Sequence, residues 1–417
     1  MGSGSYVSIG ELESLGAITA IQDGNHGNYH PKASEYTSSG IPFVMASDIK
    51  DGRVDLKGCS RLPKERTDRL RIGFAKSGDV LLTHKGTVGS VALAPNVPDY
   101  LMLTPQVTYY RTASDQLLPA YLAYAFREPG FQQQMISESA QSTRPYIGIQ
   151  AQRRLRVRYV DIKNQHRIVS ILSAYDDLIE NNTRRIEILE EMARRLYEEW
   201  FVQFRFPGHE GVVFEDDVPQ GWSRVRLDSV AEVNPEAISP KNAPDEIMYV
   251  DISSVSTRQV NKLQRLEFSE APGRARRKVI SGDVVWSCVR PALRSYALII
   301  DPPPNTIVST GFAVVRADSV PFSYLYQVLG SDQFVSYLDN HATGAAYPAV
   351  KASDFEAAEV VLPCKNLLAQ FDGAVLPMLK MIHVLRLKNN NLQSQRDLLL
   401  PKLISGEIDV SDIPMPT

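Results

Sequence analysis

Cysteine is scarce. Cys59, Cys288 and Cys364 are the only three in 417 residues, they lie far apart, and no Cys-x-x-Cys pair occurs. No histidine stands at metal-ligand spacing from them, so neither a disulfide framework nor a structural zinc site is expected, and a reducing cytoplasm is. A net basic charge is also lacking: 45 Lys and Arg against 48 Asp and Glu leave a formal charge of −3. Nucleic-acid binding would therefore need positive charge gathered on one face. No run approaches the 18 apolar residues of a membrane span, and the first residues carry no signal-peptide core. Catalytic signatures are missing as well: no G-x-x-x-x-G-K-[ST] phosphate loop, no H-E-x-x-H and no Cys/His nucleophile pattern. Asp301-Pro302-Pro303-Pro304 lacks the aromatic residue that would stack on a flipped base, and reads as a stiff turn. No Gly-rich loop after a strand suggests a bound methyl donor. The chain is expected to be non-catalytic, with no metal and no cofactor of its own.

What is present is the composition of a globular protein, 43% hydrophobic and 22% charged, long enough for roughly two to three domains. The chain is written twice. Ser77-Gly78-Asp79-Val80 recurs as Ser281-Gly282-Asp283-Val284, Ile41-Pro42-Phe43-Val44 echoes Ile247-Met248-Tyr249-Val250, and Pro119 with Tyr121-Leu122 echoes Pro321 with Tyr324-Leu325. Leu196 to Phe201 is echoed by Leu399 to Ile404, and all these offsets fall between 202 and 206. Leu12-x-Ser14-Leu15-x-x-Ile18 matches Leu227-x-Ser229-Val230-x-x-Val233 at an offset of 215, so the first copy carries a longer loop before Ile41.

Each copy has two textures. Short alternating apolar segments punctuated by Gly, Pro, Asn and Asp read as β-rich α+β. They are followed by long helical stretches: Ile168, Leu172, Tyr175, Leu178, Ile186, Leu189, Ala193, Leu196 and Trp200 recur at steps of three and four, as do Phe371, Val375, Met378, Ile382, Leu385, Leu392, Leu399 and Leu403. His166 to Phe201 would be a helix of about 54 Å, which needs a partner. The expected fold is α+β, with two β-rich domains, residues 1–160 and 208–364, separated by helices at 161–207 and 365–410 and closed by a tail at 411–417. The helices are expected to pair as an antiparallel coiled coil about a pseudo-twofold axis. Gly373 and Pro377 are where the second helix is expected to kink or start. Asn182 and Asn389 interrupt the apolar stripes; a register-setting role is one reading, and an exposed position is the one expected for them.

This organisation resembles a specificity subunit of a type I restriction-modification system over nearly the whole chain. The resemblance rests on Asn164-Gln165-His166-Arg167-Ile168, Leu196-Tyr197-Glu198-Glu199-Trp200-Phe201 with Phe204-Arg205-Phe206-Pro207-Gly208, and Leu399-Leu400-Pro401-Lys402-Leu403-Ile404-Ser405-Gly406-Glu407-Ile408. Gly40-Ile41-Pro42-Phe43-Val44, Ser47-Asp48-Ile49 and Ser77-Gly78-Asp79-Val80-Leu81 are similar to the family's recognition domains. The second helix departs from the pattern, opening Leu367-Leu368-Ala369-Gln370-Phe371 where the family has a Glu-Gln pair. The resemblance implies a cytoplasmic bacterial or archaeal protein in which each domain reads one half of a bipartite, asymmetric double-stranded DNA target and the helices set the unread spacer. It also implies two methylation subunits that transfer a methyl group from S-adenosylmethionine to adenine N6, and restriction subunits that use ATP and Mg. The rival reading is a coiled-coil adaptor without sequence-specific DNA contact.

Candidate DNA contacts follow from loop chemistry. Asp23 to Lys32 is a polar loop in which His26, Asn28 and Lys32 suit base edges or phosphates, or else form a solvated turn. Lys85 and Thr87 stand at a Gly-flexed tip after a strand, and Arg290 and Arg294 stand near the corresponding point of the second copy. Thr143, Arg144 and Tyr146 match the stretch containing Tyr347, and Arg274, Arg276, Arg277 and Lys278 form a basic run able to neutralise phosphates. Arg154, Arg156 and Arg158 alternate with apolar residues as one face of a strand; the second copy is acidic there, which argues against a shared phosphate role. Partner contact is expected at Tyr197, Trp200, Phe201 and Phe204 and at Leu399 and Leu403.

Overall fold

A computed structural model describes residues 4–27, 29–50, 52–139 and 145–414. The chain forms two compact units, one of Met1–Glu180 with Asn390–Thr417 and one of Asn181–Asn389.

In the first unit, β1 (Ile18–Asp23), β2 (Val80–Lys85), β3 (Thr87–Leu93) and β4 (Val107–Thr112) form an antiparallel sheet in the order β1-β4-β2-β3. The central strand β2 is apolar from Val80 to Leu82 because both faces are covered there. Val80 and Leu82 enter one core with Tyr110 and the helix Pro119–Arg127, whereas Leu81 enters another with Ala92 and Tyr109. This is the period-two alternation of a strand with two buried faces. Beside it lies a smaller sheet of Ser60–Leu62, Ile41–Val44, Leu101–Leu103 and Phe74–Ala75, whose middle pair is parallel.

Helix α1 (Ile162–Tyr197) follows, ending in a π-turn at Glu198–Val202. In the second unit, β5 (Ala231–Val233), β6 (Val284–Ser287), β7 (Tyr296–Leu298) and β8 (Phe312–Ala317) repeat the first sheet in the order β5-β8-β6-β7. Val284 and Trp286 face one core while Val285 faces the other, and a second four-stranded sheet again contains one parallel pair. The duplicated frame expected from the sequence is present.

The repeated Ser-Gly-Asp-Val motif has a structural cause. Gly78 and Gly282 adopt φ of 85° and 99°, which a residue without Cβ accepts freely. The following Asp79 and Asp283 are buried and accept the backbone N–H groups of Lys76 at 2.7 Å and Ile280 at 2.8 Å. Each then takes a two-pronged Arg from the neighbouring strand: Arg111 at 2.9 and 2.7 Å in one unit, Arg316 at 2.8 and 2.9 Å in the other.

Helix α2 (Lys365–Ser405) runs through Gly373 and Pro377 without a break, so it does not start there. Within each unit α2 packs antiparallel on α1. In the first, Ile168 and Leu172 share a core with Leu400, Leu403 and Ile404, and Arg396 donates to Asp176 at 2.6 Å. In the second, Ile186 and Ala193 pack with Val375, Leu379, Ile382 and Leu385, and Arg386 donates to Glu190 at 2.6 Å. An 18-residue window of α2 reaches a mean hydropathy of 1.2, which corrects the expectation that no such run exists; the helix lays its apolar face on these cores. Asn389 is 8% exposed, correcting the expectation that it faces solvent.

Candidate nucleic-acid interface

The structure places the loop residues of each unit at one junction. In the first unit β2 and β3 form a hairpin, and the strap 145–147 crosses its tip. Pro145 accepts the N–H of Gly86 at 3.2 Å, and Ile147 donates to the His84 carbonyl at 3.0 Å. Lys85 and Tyr146 pair across this bridge, with the ammonium 5.9 Å from the ring centroid. Tyr146 is 48% exposed, Lys85 and Thr87 face solvent, and Gly86 takes φ of 79° at the tip.

Beneath them His84 is buried, its Nδ1 3.1 Å from the Ile147 carbonyl and its ring 5.6 Å from that of Tyr146. Its Nε2 lies 3.5 Å from Asp23 Oδ1, which also accepts Thr108 Oγ1 at 2.6 Å. Burial pulls the imidazole below its ordinary value, against the opposing pull of Asp23.

The second unit builds the same junction from different residues. Pro348 accepts the N–H of Arg290 at 2.7 Å, and Val350 donates to the Cys288 carbonyl at 2.9 Å. Backbone bonding thus equates His84 with Cys288, Gly86 with Arg290, Pro145 with Pro348 and Ile147 with Val350. The Arg290 guanidinium lies 4.7 Å from the ring centroid of Tyr347, which is 69% exposed. A cation over an open tyrosine recurs, yet each partner sits at a non-equivalent position of its strand or strap. A search at fixed offset pairs neither Lys85 with Arg290 nor Tyr146 with Tyr347. Stacked cation and ring present a charge for phosphate and a flat edge for a base or sugar.

Other candidates separate. His26 and Lys32 are exposed on the loop after β1, with His26 Nδ1 3.2 Å from the Gly24 carbonyl. Asn28, Thr143 and Arg144 lie outside the described residues. Tyr29, 71% exposed on the same loop, joins them as a candidate contact that the loop's polar pattern does not mark. The basic run is not one phosphate-facing stripe. Arg274 bonds to Tyr249 and Asp251, Lys278 lies 3.6 Å from Glu236, and Arg276 stacks 5.1 Å from the Phe268 ring centroid. Arg277 Nη1 points inward, because alternate residues of Ala275–Lys278 face opposite sides of the sheet. Arg294 is drawn to Asp332. Arg158 is 7% exposed and donates to the Ile404 carbonyl at 3.1 Å, while Arg154 ends a short helix and pairs with Glu138, so the expected three-arginine strand face is absent.

Of the residues expected to contact partners, two are buried. Phe201 is 3% exposed, its ring centroid 4.9 Å from that of Tyr324 and 5.0 Å from that of Phe371, and Leu403 is 2% exposed in the first unit's core. Tyr197, Trp200 and Leu399 pack against these cores, and Phe204 stacks on Trp222 and Phe214. These side chains fix helices to domains; apolar groups left open on the helices include Ile188, Met192, Met381, Val384 and Leu387. A cleft of about 870 Å³ beside α1 in the second unit is lined by both signs of charge, Glu191 and Glu198 pairing with Arg194 and Glu199 with Arg205.

Fold and junctions together define a binding subunit made of two copies of one recognition module on a helix pair. A family model described as the type I restriction modification DNA specificity domain matches residues 12–191. The MjaIX specificity subunit of Methanocaldococcus jannaschii is 24% identical over 409 residues, covering 92% of this chain and 90% of its own. The HindI specificity subunit of Haemophilus influenzae is 21% identical over 440 residues, covering 88% and 94%. The crystal structure of a type I restriction-modification S subunit from M. genitalium shares the fold, with a TM-score of 0.59 at 14% identity over 97% of this chain and 96% of that one. Residues 12–191 thus match the type I specificity domain, and the chain over most of its length is similar to type I restriction enzyme specificity subunits.

Proposed function

We propose that this chain reads DNA sequence for a type I restriction-modification complex. Each recognition domain addresses one half of a bipartite, asymmetric target, and the helix pair sets the spacer and docks two methylation subunits, joined in the restriction complex by ATP- and Mg-dependent restriction subunits. S-adenosylmethionine is bound by the methylation subunits, which methylate adenine N6, and this chain holds no cofactor.

The observation that carries this reading is the repeated junction. Both domains keep the backbone bonds that tie strap to strand, and both set a cation over an exposed tyrosine there, from different positions and in different company. A frame held constant with its exposed side chains varied suits two modules that read different sequences. The charge of −3 is no obstacle, since a cation stands over the exposed tyrosine at each junction. The open apolar side chains Ile188, Met192, Met381, Val384 and Leu387 are the docking surface we assign to the methylation subunits.

A map of N6-methyladenine in genomic DNA, from cells with this chain and from cells lacking it, tests the proposal. Loss of one two-part motif on deletion is expected and would yield both half-sites and the spacer. An unchanged map with the methylation subunits expressed would refute it.

A further inference from the structure

We infer that Asn182, Thr183 and Asn389 form a register pin in the helix pair and are thereby specificity-determining residues for spacer length. This rests on the sequence-reading function proposed above.

Asn389 is buried on the α1-facing side of α2, although Asn390 and Asn391 beside it are exposed. Its Oδ1 accepts Asn182 Nδ2 at 2.9 Å, and its own Nδ2 donates to Thr183 Oγ1 at 3.2 Å. On one side of this polar layer the seam is apolar: Ile186 and Leu385 lie one turn away, with Ile382 beyond. Asparagine is a poor helix former, and an apolar pair would pack this seam more tightly. A polar layer in such a place is retained for what it specifies: a buried amide has its partners in one register alone.

The aliphatic layers specify register weakly, since Val375, Leu379, Ile382 and Leu385 recur at steps of three and four. Phe371 against Trp200 and Phe201 anchors the domain end of the seam, and the asparagine layer anchors the other. A slide of one turn would set Asn389 against an aliphatic side chain and leave its amide unpaired. The Glu190–Arg386 ion pair is a weaker lock, since its long side chains can follow a shift and burial raises the Glu190 pKa. In the second unit α1 leads into the recognition domain and α2 leads out of it, so a change of register alters how that domain is carried. One turn is about 5.4 Å and a DNA step about 3.4 Å, so a slip corresponds to a spacer change of one to two base pairs.

The test is the methylation map of cells whose only copy of the chain carries Asn182→Leu with Asn389→Leu, read beside the melting temperature of the assembled methyltransferase. The expected result is a melting temperature equal to or above that of the parent, unchanged half-sites, and new methylated sites with spacers one or two base pairs longer or shorter, at a tenth or more of the parent occupancy. If the leucine protein does not assemble, Asn182→Ala with Asn389→Ala removes the same hydrogen bonds without added bulk, and relaxed spacing is again expected. A folded variant that keeps one strict spacer overturns the pin while leaving the reading function intact. A parent map with no two-part motif overturns both.

Discussion

At the scale of single residues, the cation at each junction belongs to one half of the target, so its loss should be felt in that half alone. Replacing Lys85 by alanine is expected to weaken specific binding several-fold and to lower the slope of log affinity against log salt by about one, as for the loss of one phosphate contact. Titration of a duplex at several salt concentrations measures both, and unchanged affinity and half-site preference would remove Lys85 from the interface. His84 makes a different prediction. Burial favours its neutral form, so its folded pKa lies below the unfolded value of about 6.5. Below that value the unfolded chain takes up the proton more readily, so stability is full above about pH 6.5 and falls as acid approaches the folded pKa. Melting temperature followed from pH 7.5 to 5 should fall less for His84→Gln than for the parent.

At the scale of elements, the buried aspartate of the repeated motif is a strut between turn and strand. Asp283 is inaccessible and holds both Arg316 and the Ile280 N–H, so Asp283→Ala removes one partner of a buried ion pair and should destabilise the second unit by about 3 kcal/mol, read from urea unfolding. The motif itself was legible in the sequence because its geometry demands particular residues: glycine for a positive φ, then a carboxylate for the turn. The long helices were legible because an apolar stripe at steps of three and four fits the turn of a helix and not the pleat of a strand. Pro377 misled about where α2 begins, because Val375, Leu379 and Ile382 on either side of it are held in the second unit's core. The cation and tyrosine pairs were legible as residue types near a loop, but not as pairs. The strap that brings Tyr146 to Lys85 is some sixty residues away, and in the second unit different positions meet. Phe201 was misread for a related reason: beside Tyr197 and Trp200 it looks like part of a binding patch in one dimension, and only the fold reveals Tyr324 and Phe371 packed on it.

At the scale of the whole molecule, duplication is what the sequence conveyed best, since matched offsets need no knowledge of contacts. What it did not convey is how the duplicated chain partitions. The helices are not separate segments between domains, because each gives one half to either unit: Ile168 and Leu172 serve the first core, and Ala193 serves the second. The second unit is one continuous stretch, whereas the first closes only when Leu400, Leu403, Ile404 and Val410 fill its core. On the ribosome this inverts the order of completion. The domain begun earlier waits for residues made later, through roughly two hundred intervening residues and, at about 5–20 residues per second, for about 10–40 s. During that interval its apolar face is open to chaperones, and the domain begun later is the earlier to finish.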